Sequence, residues 1–143
     1  VVRVARDSML HATAPTPELE PLERLHDTLT RIVLFVREHR GTFYSLVRGV
    51  ASADVEVREV VEQARVEQAD RVIAVFLELG MADTLLLRVA LRSWVAFAEE
   101  ALVESTELPD PELVELLERS AEADVVPDDY AELPTLIERL GGA

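Results

Sequence analysis

Three groupings of residues in this chain have types and spacing that could do chemistry. The turn Glu23-Arg24-Leu25-His26 sets a carboxylate and an imidazole three positions apart. On a helix they share a face, which is half of what a di-metal bundle centre requires. The other half is missing: His11 and His39 have no acid three residues before them. No metal is expected, and His26 reads as a partly buried residue or a hydrogen bonder in a pocket. The second grouping is aromatic. Phe35, Phe43, Tyr44, Phe76, Trp94 and Phe97 fall on segments that a helical bundle would bring together. They either pack as ordinary core or line an apolar pocket, with Tyr44, Trp94 and His26 as its polar handles. The third is the acidic run from Glu99 to Asp129, a solvated face or a surface for a basic protein partner.

Catalytic signatures are missing. There is no Gly-x-Ser-x-Gly elbow, no glycine loop to cradle a phosphate and no metalloprotease helix motif. With no cysteine at all, disulfides, thiolate metal sites and cysteine nucleophiles are excluded. The expectation is a protein that is not an enzyme and uses no cofactor.

The balance of residues allows a buried core. Hydrophobic residues are 49% of 143, charged residues 29%, and mean hydropathy is +0.13. No apolar run reaches the ~18 residues of a membrane span, so a soluble, cytoplasmic chain with no membrane partner is expected. All 14 bases are Arg, and 28 acids leave a formal net charge of −14. Such a surface repels phosphate backbones, which argues against nucleic-acid binding by this segment itself. Val1–Ala53 is near neutral, with 6 acids and 7 Arg, whereas Asp54–Ala143 carries 22 acids and 7 Arg.

Periodicity reads as helix nearly throughout, in one domain spanning 1–143 with an acidic tail from about 124. A first helix ends near Ala12 and is broken by Ala14-Pro15-Thr16-Pro17. A second runs from Pro21 to His39 on the stripe Leu22, Leu25, Leu29, Ile32, Val33 and Val36, with Gly41 as its stop and Arg37 at its negative end. A short third helix covers Thr42 to Ala51. Ser52 or Asp54 caps a long fourth helix that Gly80 terminates. Its polar half is expected to carry Arg58, Glu62, Arg65 and Glu67. The fifth, from Asp83 to Ser105, has two apolar faces: Leu87, Leu91, Trp94 and Ala98 on one, and Leu85, Val89, Arg92/Ser93, Ala96 and Val103 on the next. A sixth spans Glu112 to Ala123, and a last short one is expected near Thr135 to Leu140. The fold class is all-α, an antiparallel bundle of about six helices.

The run Arg71-Val72-Ile73-Ala74-Val75-Phe76-Leu77-Glu78-Leu79-Gly80-Met81 resembles the second half of a long helix and its glycine stop in TetR-family transcriptional regulators. Ala90-Leu91-Arg92-Ser93-Trp94-Val95-Ala96-Phe97-Ala98-Glu99-Glu100 is similar to the helix that follows in that family. Leu25 to Gly41 resembles the helix opening its effector domain, and Pro111 to Leu117 the start of its last helix. The resemblance covers most of Pro21–Arg119 and rests on element order, spacing and apolar pattern. It implies the effector-binding and dimerisation half of such a regulator, with the family's three-helix DNA reader, a helix-turn-helix, outside this chain.

What the resemblance implies is a small apolar or aromatic effector in a pocket of His26, Leu29, Val33, Phe43, Tyr44, Val47, Val72, Phe76, Leu91, Trp94 and Phe97. A homodimer is expected through Val89, Arg92, Ser93, Ala96, Glu100 and Val103, with Leu113 and Leu117 completing a four-helix contact. DNA would be reached only through the reader outside the chain. The competing reading is a standalone helical interaction module with a packed core, no pocket and an acidic face for a protein partner.

Overall fold

A computed structural model describes residues 2–49 and 51–124. Over these residues the chain forms six helices and no strand: α1 (Val2–Ala12), α2 (Pro21–Glu38), α3 (Arg40–Gly49), α4 (Val55–Glu78), α5 (Leu85–Glu104) and α6 (Asp110–Asp124). The helix expected near Thr135 to Leu140 and the acidic tail lie outside the described residues.

Local chemistry explains most boundaries. Pro21 opens α2, where its missing N–H costs nothing. The Asp54 carboxylate accepts from the Glu56 N–H at 2.9 Å, and Thr84 Oγ1 accepts from the Leu87 N–H at 3.1 Å, so α4 and α5 both begin on side-chain caps. Gly80, at φ 95°, closes α4. Its own N–H reaches Leu77 O at 3.0 Å, and the Met81 N–H reaches Phe76 O at 3.1 Å, a Schellman ending that needs a left-handed residue.

One boundary departs from expectation. Gly41 does not stop α2; it is the second residue of α3. The break falls at His39 (φ −129°, ψ 50°), whose N–H still bonds Phe35 O while its carbonyl accepts from Phe43. The kink between the two helices therefore needs no glycine.

The helix α4 is the axis of the bundle, packing against α1, α2, α3 and α5, and α6 closes the far side against α2 and α5. Its apolar residues accordingly face more than one way, with Val60, Val61, Ala64, Ala69, Val72, Ile73, Val75 and Phe76 all buried. At Gly49 the α3 backbone comes so near α4 that a Cβ would lie 2.6 Å from Val61 Cγ2. Arg37 also corrects an expectation: its guanidinium serves not α2's own end but the α5–α6 turn. It donates to Thr106 O (2.9 Å), Ser105 O (3.2 Å) and Leu108 O, and pairs with Asp110 at 3.0 Å. Carbonyls left over at α5's end thus gain a charged donor.

Candidate functional site: a six-helix cavity with one ion pair

Each of the six described helices contributes to a partly open cavity of about 80 Å³ between them. Met9 comes from α1, Leu29 and Ile32 from α2, and Phe43, Leu46 and Val47 from α3. The α4 wall is Val61, Ala64, Arg65, Gln68 and Val72; the α5 wall is Trp94, Val95, Ala98, Glu99 and Leu102; Leu117 is the α6 contribution. The surface is almost wholly apolar, as a space between amphipathic helices must be when their stripes meet imperfectly.

Of the expected pocket residues, Leu29, Phe43, Val47, Val72 and Trp94 meet at this wall. Val33, Phe76 and Leu91 do not; they are sealed within the surrounding core. Three others point elsewhere. His26 is exposed and pairs with Glu118, tying α2 to α6. The Tyr44 ring lies outside the bundle with the Arg48 guanidinium 4.1 Å from its centroid, and its hydroxyl accepts from Arg48 at 3.1 Å. Phe97 is 44% exposed, because about 100° per residue carries it well round α5 from the line Leu91, Val95, Ala98. Trp94 is a wall rather than a polar handle: its indole N–H is already bonded to Leu117 O (3.1 Å) and Ser120 Oγ (2.9 Å).

Two charged residues at the wall fell outside the sequence expectations. Arg65, read there as part of a solvated half of α4, donates through Nε (2.8 Å) and Nη2 to the two oxygens of Glu99 on α5, and Nη1 stands 3.5 Å from Glu62. Glu99, read there as the start of the acidic run, is committed to Arg65. Hydrogen bonding to Glu99 holds the guanidinium above its usual range, against an opposing burial effect. The signal was present in the sequence: Arg65 lies between Val61 and Gln68, and Glu99 between Val95 and Leu102, all at inward-facing spacings of three and four. Charges on a core-facing stripe are the cue.

The cavity wall is joined to α1 by polar bonds. Gln68 Nε2 donates to Thr13 Oγ1 at 3.2 Å, and Arg71 donates to the same oxygen at 3.3 Å and to Leu10 O at 3.0 Å. Thr13 is fully buried and itself donates to Met9 O. Burial here pushes the Arg71 guanidinium below its usual range.

The expected dimer residues divide. Val89, Arg92, Ser93, Ala96 and Glu100 are exposed along one side of α5, and Val103 is half-buried. Leu113 and Leu117 are not at the surface; both are buried inside their own subunit, because α6 turns that edge toward α2 and α5. Other large apolar residues left exposed on these two helices are Leu85, Leu86 and Phe97 on α5 and Leu116 on α6. No group of three or more metal-ligating side chains occurs among the described residues, and none of their helices is long and apolar enough to cross a membrane.

The profile of the family described as Tetracyclin repressor-like, C-terminal domain, matches residues 21–123, the stretch from the start of α2 to the last turn of α6. No curated protein and no solved structure gives a match. Helix order, the glycine-stopped α4 and the breadth of the match agree: the chain belongs to the family of tetracyclin repressor-like C-terminal domains, which are parts of transcriptional regulators.

Proposed function

We propose that this chain is the effector-binding and dimerising half of its regulator, taking a small hydrophobic ligand in the six-helix cavity. The observation that carries this reading is the cavity itself, an apolar space walled by all six helices of a domain whose family serves regulation. Its size adds a mechanism. An engineered apolar cavity that takes benzene is about 150 Å³, roughly twice the space here. A ligand of that size or larger is wholly enclosed only if the helices spread, so it binds the spread arrangement better than the closed one. That difference in affinity is what allows a ligand to shift an equilibrium, and couplings of ~1–3 kcal/mol are typical. Met9 and Gln68 touch both the cavity and the α1 contacts, so spreading is felt at α1. In a dimer, such a shift would reset the spacing of two DNA readers.

The dimer is proposed to form on the outer side of α5, where Leu86, Val89, Ala96 and Phe97 are exposed. Apolar patches of this kind mark contacts, and small Ser93 and Ala96 permit close approach of a second α5. The ligand half of the reading is tested with an apolar fluorescent probe. One probe per chain is expected to bind, and Ala98→Leu, which fills the cavity from α5, is expected to abolish binding while the helical circular dichroism stays intact. Undiminished binding to the filled variant would place the probe elsewhere and refute the reading.

A further inference from the structure

If the cavity is a ligand site, as proposed above, its polar chemistry narrows the ligand to one class. Three wall residues carry polar side-chain groups that could face a guest: Arg65, Gln68 and Glu99. Gln68 is neutral, and its amide already donates to Thr13 and accepts from Arg71, so it does not sort ligands by charge; the Trp94 N–H is taken by Leu117 and Ser120. What remains is the ion pair between α4 and α5. We propose that the Arg65–Glu99 pair selects uncharged ligands, molecules with an apolar body that end in a hydroxyl or carbonyl, and excludes organic anions and cations.

The pair has spare hydrogen-bonding capacity but no spare charge. A carboxylate offers about four lone-pair sites, and Glu99 uses two of them on Arg65. The Arg65 Nη1 group is held by Glu62 only at 3.5 Å, leaving N–H capacity for a carbonyl or hydroxyl oxygen. A neutral ligand can thus bond to either partner with the pair intact. A carboxylate ligand cannot without penalty. At Nη1 it sets a second anion on a guanidinium already neutralised by Glu99. To take the bidentate place it must displace Glu99, whose side chain is only 16% exposed, and strand that charge against an apolar wall. An ammonium ligand meets the reverse problem, since the Glu99 carboxylate it would need is already paired with Arg65. The second acid, Glu62, is over half exposed and its field is largely spent on solvent.

Three probes with one six-carbon tail separate the cases: 1-hexanol, hexanoate and hexylammonium, read by Trp94 fluorescence and by the shift in melting temperature at neutral pH. Straight chains suit a narrow space better than rings. Hexanol is expected to bind at least about tenfold more tightly than either ion, with all binding lost in Ala98→Leu. Glu99→Gln frees the guanidinium and is expected to move the preference to hexanoate. Arg65→Gln frees the carboxylate and is expected to move it to hexylammonium, so either variant suffices if the other fails to fold. Hexanoate or hexylammonium equalling hexanol on the unaltered chain would overturn the selection rule and leave the cavity reading standing. So would an order of preference unchanged in both variants. Failure of all three probes to bind would remove the cavity reading and this inference with it.

Discussion

Both sides of α5 carry large apolar residues, the outer one interleaved with Arg92, Ser93 and Glu100, and the two live in different surroundings. On the inner side Leu87, Leu91, Trp94, Ala98 and Leu102 are buried against α4 and α6, with Leu91 fully sealed. On the outer side Leu86 is 72% and Val89 48% exposed, although nothing in their chemistry is more polar. An isolated subunit gains nothing from a second apolar side, since each exposed Leu or Val forgoes burial worth about 1.5–3 kcal/mol. The contrast is what the proposed dimer would account for: the inner apolar side serves the fold, and the outer one is left for a second copy to cover.

The largest effects are expected on the inner side. Leu91→Ala removes a side chain with no room to collapse and should cost about 2–5 kcal/mol of stability, measured by urea denaturation. A smaller but clear loss, about 1–3 kcal/mol, is expected for Arg37→Met, which withdraws the charged donor from three carbonyls of the α5–α6 turn. It should also loosen the α6 edge, seen as faster amide exchange in the turn. Next comes Gly80→Ala, which forces a Cβ into the left-handed ending of α4 and should cost about 1 kcal/mol in the same assay. Smallest of all, Val89→Ser and Phe97→Ser should change the stability of the monomeric chain by no more than about 0.5 kcal/mol. If the outer substitutions destabilised the monomer as Leu91→Ala does, the distinction between the two sides would collapse.

Most of the fold could be read from the residues, because helix ends are written in local chemistry. Pro21, Asp54 and Gly80 each act at the positions their types suggest. Gly41 misled because a backbone break can be made by His39, an ordinary residue held between two hydrogen bonds. The site was less legible. Leu29, Phe43, Val47, Val72 and Trp94 were identifiable as apolar residues on converging stripes, yet the same argument drew in Val33, Phe76 and Leu91, which are simply core. Whether a residue lines a void or fills it depends on three-dimensional misfit between helices, and one-dimensional periodicity does not carry that. Aromatic type was a poor guide for Tyr44 and Phe97, where helical phase overrules composition. Charges on core-facing phases, Arg65 and Glu99, were the better cue. On the outer side, Leu113 and Leu117 were misassigned because α6 has its own inner edge, which only packing against α2 reveals.

The most direct test of this account is the solution mass of the chain by sedimentation equilibrium, alone and with Val89→Asp/Phe97→Asp. A dimer that becomes a folded monomer in the double variant is the expected result, since two carboxylates placed on each copy's outer α5 side would have to be buried unpaired. A chain that stays monomeric at high concentration, or a variant that dimerises as before, would contradict the claim that the outer side of α5 is covered by a second copy.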